Sequence, residues 1–426
     1  MNLKVRLSLM NFLEFAAWGA YLTSMGRYIG QLGMGDSIAW FYSMQGIVSI
    51  FMPAIIGIIA DRWVQAQKMM GFCHLVAGIF MFALSFYAIN AGQHASFAVL
   101  FSLYVPSVAF YMPSLSLSYS VAYTGLRSAG MDIVKDYPPI RVFGTVGFIC
   151  TMLFTDFMHF QANAGQFLTS GTVSIMLFLY SFTLPKCPLS DKGEKKTFVD
   201  AFGLRAFALF KDYKMAIFFI FSMLLGVCLQ ITNSFANPFI NSFGFYNEFA
   251  DTFAVQHTNT IISLSQISEI CCILLIPFFM KRYGIKNVML IAMFAWVLRF
   301  GLFAVGNPGN GVWMFILSMI VYGVAFDFFN ISGSMFVDQN TDSGIRSSAQ
   351  GLFMLMTNGI GATIGTMSAQ QIINSYTTSQ IKDGLSYTVG LQGTGGWSAC
   401  WYIFASYALF IAVCFALMFR PTEKDI

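Results

Sequence analysis

The residues of this chain best able to do chemistry are polar side chains set inside apolar stretches. Asp327 stands in the middle of Met319–Met335, a run long and apolar enough for a membrane-spanning helix. At about 100° per residue, Gly323, Phe326, Asp327, Asn330 and Ser334 fall within one arc. A carboxylate at bilayer depth costs about 3 kcal/mol or more, so it faces a cavity or a partner. Three more faces follow the same logic. Arg141, Thr145 and Phe148 are spaced i, i+4, i+7. Gln230, Asn233, Asn237 and Asn241 are spaced i, i+3, i+7, i+11. Gln266 and Glu269 are spaced i, i+3. Amides and hydroxyls beside aromatic rings suit a neutral solute with a flat ring and many hydrogen-bonding groups. A carboxyl that gains and loses a proton suits coupling to a proton gradient.

Each face also has a structural reading. Arg141 lies near a span end, where an arginine snorkels to the interface. The Asn/Gln ridge can join helices, and Glu269 can pair with Arg299. Asn11, Glu14, Trp18 and Tyr21 share a face that fits a cavity wall or a structural contact equally well. Pro238 is expected to kink its helix. Stripes of Phe and Met elsewhere read as packing or lipid-facing residues.

The elements that carry these faces follow from composition. The 426 residues are 57% hydrophobic, 17% aromatic and 10% charged. Soluble domains carry about 25% charged residues, so the chain is an all-α, polytopic membrane protein. Twelve apolar runs reach spanning length, at 7–29, 38–60, 69–90, 97–122, 139–160, 165–185, 213–241, 252–280, 287–306, 311–335, 346–374 and 397–419. The first is too long for a signal peptide, contains Glu14 and is followed by no small-residue cleavage site. With an even number of spans both termini share a side. Lys4, Arg6, Arg62, Lys68, Arg127, Lys135, the cations of 186–214 and 281–286, Arg346, Arg420 and Lys424 fall there. Only Arg27 and Lys382 fall opposite. Positive loops stay inside, so both termini are expected in the cytoplasm.

Residues 186–212 form the most charged, proline-marked stretch. They divide the chain into an N-terminal six-helix half (1–185), a linker, and a C-terminal half (213–426). Thr197–Lys211 is loosely amphipathic, as a surface-lying segment would be. The halves repeat one another: Val108-Ala-Phe-Tyr111 matches Val324-Ala-Phe-Asp327, Ile140-Arg141 matches Ile345-Arg346, and Asp61-Arg62 matches Lys281-Arg282. A parallel six-plus-six repeat is the plan of the major facilitator superfamily. Gly57-x-x-x-Asp61-Arg62 resembles a reduced form of that superfamily's loop motif. The eight cysteines and four histidines show neither disulfide nor metal-ligand spacing. No P-loop, Rossmann glycine pattern, nucleophile elbow or nucleic-acid-binding patch stands out. An enzyme, a cofactor and a metal are therefore not expected.

At the faces themselves a family becomes recognisable. Pro138-Pro-Ile-Arg-Val-Phe-Gly-Thr-Val-Gly-Phe148, Leu224-Leu-Gly226 with Gln230-Ile-Thr-Asn233, Ser265-Gln-Ile-Ser-Glu269 and Tyr322-Gly-Val-Ala-Phe-Asp-Phe-Phe-Asn-Ile-Ser-Gly333 resemble the NupG-like bacterial nucleoside:proton symporters. The similarity runs from Met1 to the twelfth span. It implies inward transport of purine and pyrimidine nucleosides with protons across the inner membrane. It also implies alternating access, with substrate held between the halves. Carried over residue by residue, it implies substrate binding by Arg141, Thr145, Phe148, Gln230, Asn233, Gln266, Glu269, Tyr322, Phe326 and Asp327. Asp327 and Glu269 are the proton-coupling candidates, and a monomer is expected. The runner-up is a transporter of another small polar solute, a sugar or a modified nucleoside. The Gly-rich segment Tyr376–Gly396 matches the family poorly and receives no role.

Overall fold

The computed structural model describes residues 2–188, 204–341 and 346–419. The matched pairs Ile345-Arg346 and Asp61-Arg62 and residues 189–203 of the linker lie wholly or in their side chains outside the described residues. The remainder of the linker's amphipathic stretch, Leu204–Lys211, is a 3-10 helix.

Seven helical segments account for the first half. They are α1 (Leu3–Gly19), a short turn of helix at Met25–Ile29, α2 (Ile38–Arg62), α3 (Ala66–Ala91), α4 (Phe97–Ser128), α5 (Ile133–Phe157) and α6 (Gly165–Ser181). The first apolar run is thus two pieces. α1 starts where the Asn2 side chain accepts from the Lys4 amide at 3.2 Å and ends at Gly19, six residues before helix resumes. In the second half come α7 (Tyr213–Ser242), α8 (Thr258–Val305), α9 (Val312–Gln339), α10 (Arg346–Met354), α11 (Ala362–Tyr376) and α12 (Gly396–Met418).

Among the described residues, eight helices are long and apolar enough to cross a membrane. The other predicted spans are accounted for by α1 and α6, both slightly short, by the division of α8, and by α10 with α11. At 1.5 Å per residue the 48 residues of α8 would run about 72 Å, over twice the bilayer's apolar thickness. Gly284, at φ 72 and ψ 168, breaks it directly after Lys281-Arg282-Tyr283, so it holds the eighth and ninth spans. α10 and α11 are joined by a π-helical stretch, Leu355–Gly361. α7 continues as helix through Pro238.

Contacts gather the chain into two compact units: Met1–Tyr28 with Ile47–Ala201, and Ile29–Gly46 with Phe202–Ile426. In the first, Leu7, Met10, Met70, Cys73, Val121, Leu126, Ile140 and Leu177 form the buried core. In the second the core is aromatic: Phe239, Phe300, Phe303, Phe315 and Trp401 pack together, with Phe303 stacked on Trp401 at 4.7 Å. Phe86, Phe182, Leu274 and Leu417 stay exposed, as side chains turned to lipid would.

The Gly-rich segment after α11 is ordered. β1 (Thr377–Lys382) pairs antiparallel with β2 (Leu385–Gly390), Thr377 opposite Gly390 and Lys382 opposite Leu385. The turn is Asp383-Gly384, both at positive φ (53 and 78), the pair a two-residue hairpin loop demands. Lys382 Nζ donates to the Phe245 carbonyl (2.8 Å) and to Asn247 Oδ1 (2.7 Å), tying the hairpin to the end of α7. The Trp397 indole donates to the Thr388 carbonyl (2.7 Å). Residues 35–39 join the same unit: Gln370 Nε2 donates to the Gly35 carbonyl (3.0 Å), and its Oε1 accepts from the Ala39 amide (2.9 Å).

Candidate functional site

In the N-terminal unit, α1 and α5 meet peptide to peptide. A Cβ on Gly147 would collide with the Phe12 carbonyl. This approach lays Arg141 over Phe15, its guanidinium carbon 4.0 Å from the ring centroid, while Nε points at the Tyr119 hydroxyl from 3.4 Å. Arg141 is half-buried, on an aromatic ring. Thr145 (7% exposed) and Phe148 (6%) follow it along the face. Trp18 meets Phe148 edge-on at 6.1 Å and Tyr111 at 6.0 Å. The predicted trio is therefore together, with α1 as its wall.

The α1 face of Asn11, Glu14, Trp18 and Tyr21 divides. The Asn11 amide donates to the Leu7 carbonyl of its own helix (3.0 Å), and Tyr21 packs on Tyr104 and Phe167. Glu14 is wholly buried against His74 of α3, Nε2 to Oε2 2.9 Å, and against Ser114 of α4, Oγ to Oε1 2.5 Å. Sequence reading missed His74. It lies 60 residues from Glu14, and only the packing of α1 on α3 and α4 brings them together.

In the C-terminal unit the Asn/Gln ridge separates into two parts. Asn237, fully buried, donates to Asn259 Oδ1 of α8 at 2.9 Å, the helix-joining role. Gln230 and Asn233 stay half-buried, and the Asn233 amide donates to Gln230 Oε1 (3.1 Å) on the same helix. Asn241 is buried at 5% exposure.

α8 and α9 also meet backbone to backbone. A Cβ on Gly323 would land 2.6 Å from the Ser268 carbonyl. Beside this contact Tyr322 stacks on Phe326, centroids 5.4 Å apart at 16°. Arg299 is 4.5 Å above the Tyr322 ring and donates to the Ser318 carbonyl (2.7 Å). Glu269 and Asp327, like Arg299, lie near enough to Tyr322 to act on it electrostatically. Asp327 is 4% exposed; Gln266, Glu269 and Phe326 are half-buried. The five-residue arc around Asp327 is shared out. Gly323 serves the α8 contact, the Asn330 amide donates to the Phe326 carbonyl (2.9 Å), and Ser334 donates to Gln350 (3.0 Å). Phe326 and Asp327 remain as its chemical part. Arg299 and Ser114 were not among the predicted site residues. Arg299 was read from the sequence only as a structural partner for Glu269.

A helical chain of this plan, with arginine, carboxyl, amide and ring side chains grouped on its spanning helices, is a secondary transporter of the major facilitator fold. It belongs to the nucleoside H+ symporter family, whose model matches residues 1–424. The chain is 44% identical over 424 residues to the xanthosine permease of Escherichia coli, spanning 99% of this chain and 96% of that one. It is likewise 44% identical over 423 residues to the nucleoside permease NupG of Escherichia coli, with the same coverage. The crystal structure of the nucleoside transporter NupG superposes with a TM-score of 0.86 at 44% identity, covering 99% of this chain and all of that one.

Proposed function

We propose that this chain carries purine and pyrimidine nucleosides into a bacterial cell together with protons, as a monomer in the cytoplasmic membrane with both termini inside. Family membership gives the class of transport. Two observations, one within each unit, support the assignment of residues: Arg141 on the Phe15 ring beside Thr145 and Phe148 in the first, and Asp327 and the half-buried Glu269 near the stacked Tyr322 and Phe326 in the second.

Arg141 and Thr145 offer directed donors, and Phe148 offers a ring for the base. Gln230, Asn233 and Gln266 supply amides for ribose hydroxyls. Tyr322 and Phe326, already stacked, present a flat face that a base can extend. Glu269 accepts from a hydroxyl or base N–H, and Asp327 shares that role or takes the transported proton. The relatives named for xanthosine and for nucleosides support this substrate class. So does the positive charge of alternate loops for the orientation.

Uptake of labelled uridine, adenosine and xanthosine by cells lacking their own nucleoside transporters tests the function. Concentrative uptake abolished by a protonophore is the expected result. Uptake that a protonophore leaves untouched refutes proton coupling, and no uptake of any nucleoside refutes the substrate class.

A further inference from the structure

The N-terminal unit holds a carboxyl and an imidazole sealed from solvent that substrate recognition does not use. Glu14 and His74 are both 0% exposed, with Nε2 and Oε2 2.9 Å apart. Ser114 Oγ sits 2.5 Å from the other carboxyl oxygen and 2.7 Å from the Tyr111 carbonyl. The Tyr111 hydroxyl donates to the Glu14 main-chain carbonyl (2.9 Å). His74 packs edge-on against the Tyr111 ring at 5.8 Å, and its Nδ1 is buried with no hydrogen-bond partner.

We propose that Glu14 and His74, with Ser114 and Tyr111 as their frame, form a proton-binding site of this transporter, in addition to any carboxyl of the C-terminal half. The proposal rests on the nucleoside–proton reading above for its coupling, and on atoms for the proton itself. Ser114 has one hydroxyl hydrogen and two acceptors in reach. With a proton on Glu14 Oε1 every contact is satisfied in series. Glu14 O–H donates to Ser114 Oγ, Ser114 O–H donates to the Tyr111 carbonyl, and His74 Nε2–H donates to Glu14 Oε2. Without that proton Ser114 serves one acceptor only, and a net negative charge is left in a buried interior, which is costly unless neutralised. The heavy-atom distances suit the proton-loaded site.

The titratable and charged groups facing it are few. α3 presents Cys73 beside His74, α4 presents Tyr111, α5 presents Tyr137 and Arg141, and α6 presents Tyr180 only to the Arg6 carbonyl near the start of α1. Arg141 also acts electrostatically on Tyr111. α1 links this site to substrate recognition. Phe15 lies beneath Arg141, and Trp18, one turn beyond Glu14, abuts Phe148. A nucleoside that shifts Arg141 or Phe148 therefore presses on the helix that carries the protonated carboxyl.

The full-length protein in liposomes, with labelled uridine and an inward proton gradient of one pH unit, tests this. Each coupled proton multiplies accumulation by about tenfold per pH unit. In Glu14→Gln, which preserves size but cannot titrate, the ratio of uphill accumulation to uridine exchange at equal pH should fall about tenfold. A ratio equal to wild type overturns the proposal. The infrared carbonyl band of a buried protonated carboxyl gives a readout independent of nucleoside: it should be present in wild type and missing from Glu14→Gln. Identical spectra overturn the proposal, whereas a wild type that shows the band but exchanges no uridine sinks only the nucleoside reading. Should Glu14→Gln not fold, His74→Gln, which retains a donor to Glu14, should shift that band and the pH profile of accumulation. Unchanged values in both overturn the site.

Discussion

One helix face contains two kinds of amide, and substitution separates them. Asn237 is 0% exposed and donates across to Asn259 at 2.9 Å; Gln230 and Asn233 bond to each other on the half-buried part of α7. Asn237→Ala removes a net hydrogen bond and deprives the Asn259 oxygen of this donor, a loss of about 1–3 kcal/mol in soluble interiors. Bonds between membrane helices are weaker, averaging about 0.6 kcal/mol, and alanine returns a few tenths through helix propensity. About 0.3–1 kcal/mol of destabilisation remains. For a cooperative unit of about 200 residues that is a melting shift of about 1–3 °C, with nucleoside affinity unchanged. Gln230→Ala loses a partly solvated bond and should move the melting temperature by less than about 1 °C. It should weaken nucleoside binding about tenfold if its amide meets a ribose hydroxyl. Thermal denaturation and equilibrium binding on the two purified variants make the comparison. The reverse pattern, Asn237→Ala binding poorly at wild-type stability or Gln230→Ala melting early at wild-type affinity, would refute the reasoning.

Three further outcomes are expected. Arg141→Lys should raise the apparent KM for nucleoside uptake about tenfold or more, because an ammonium lacks the planar fork that makes two directed bonds; near-normal uptake would return Arg141 to a structural role on Phe15. Uridine should compete at least tenfold better than uracil, since a free base leaves the amides meant for ribose without partners; equal competition contradicts this. Asp327→Asn should accumulate uridine about tenfold less per unit of imposed pH gradient while still exchanging it. Undiminished accumulation would shift the C-terminal coupling role to Glu269.

Period and charge made the helices legible. Apolar runs bounded by Lys, Arg, Gly and Pro place α2, α3, α7 and α12 within three residues of their observed ends. Faces three and four residues apart brought Arg141, Thr145 and Phe148 together because one helix enforces that spacing. What stayed hidden lies between elements. Nothing local joins Glu14 to His74, and nothing local says that Gly323 is occupied by Ser268 rather than by a ligand. The Asp383-Gly384 turn, by contrast, was readable: a turn-forming pair between Ile381 and Leu385, lost in a segment whose glycines suggested a plain loop. α1 was drawn too long because hydropathy does not register the turn after Gly19.

The seams at Gly147 and Gly323 bear on how sequence drift would act on this chain. At both, one helix's peptide occupies the volume where a side chain would start. Around Arg141 or Gln230 a wrong residue is expected to leave a folded, membrane-resident protein with weakened uptake. At the two glycines even one added methyl group forces a helix pair apart before any substrate arrives. A library of random substitutions selected for growth on nucleosides, then counted for protein in the membrane, would sort intolerant positions into those two groups. Gly147 and Gly323 would fall with the losses from the membrane although each lies on a helix that carries proposed substrate-binding residues.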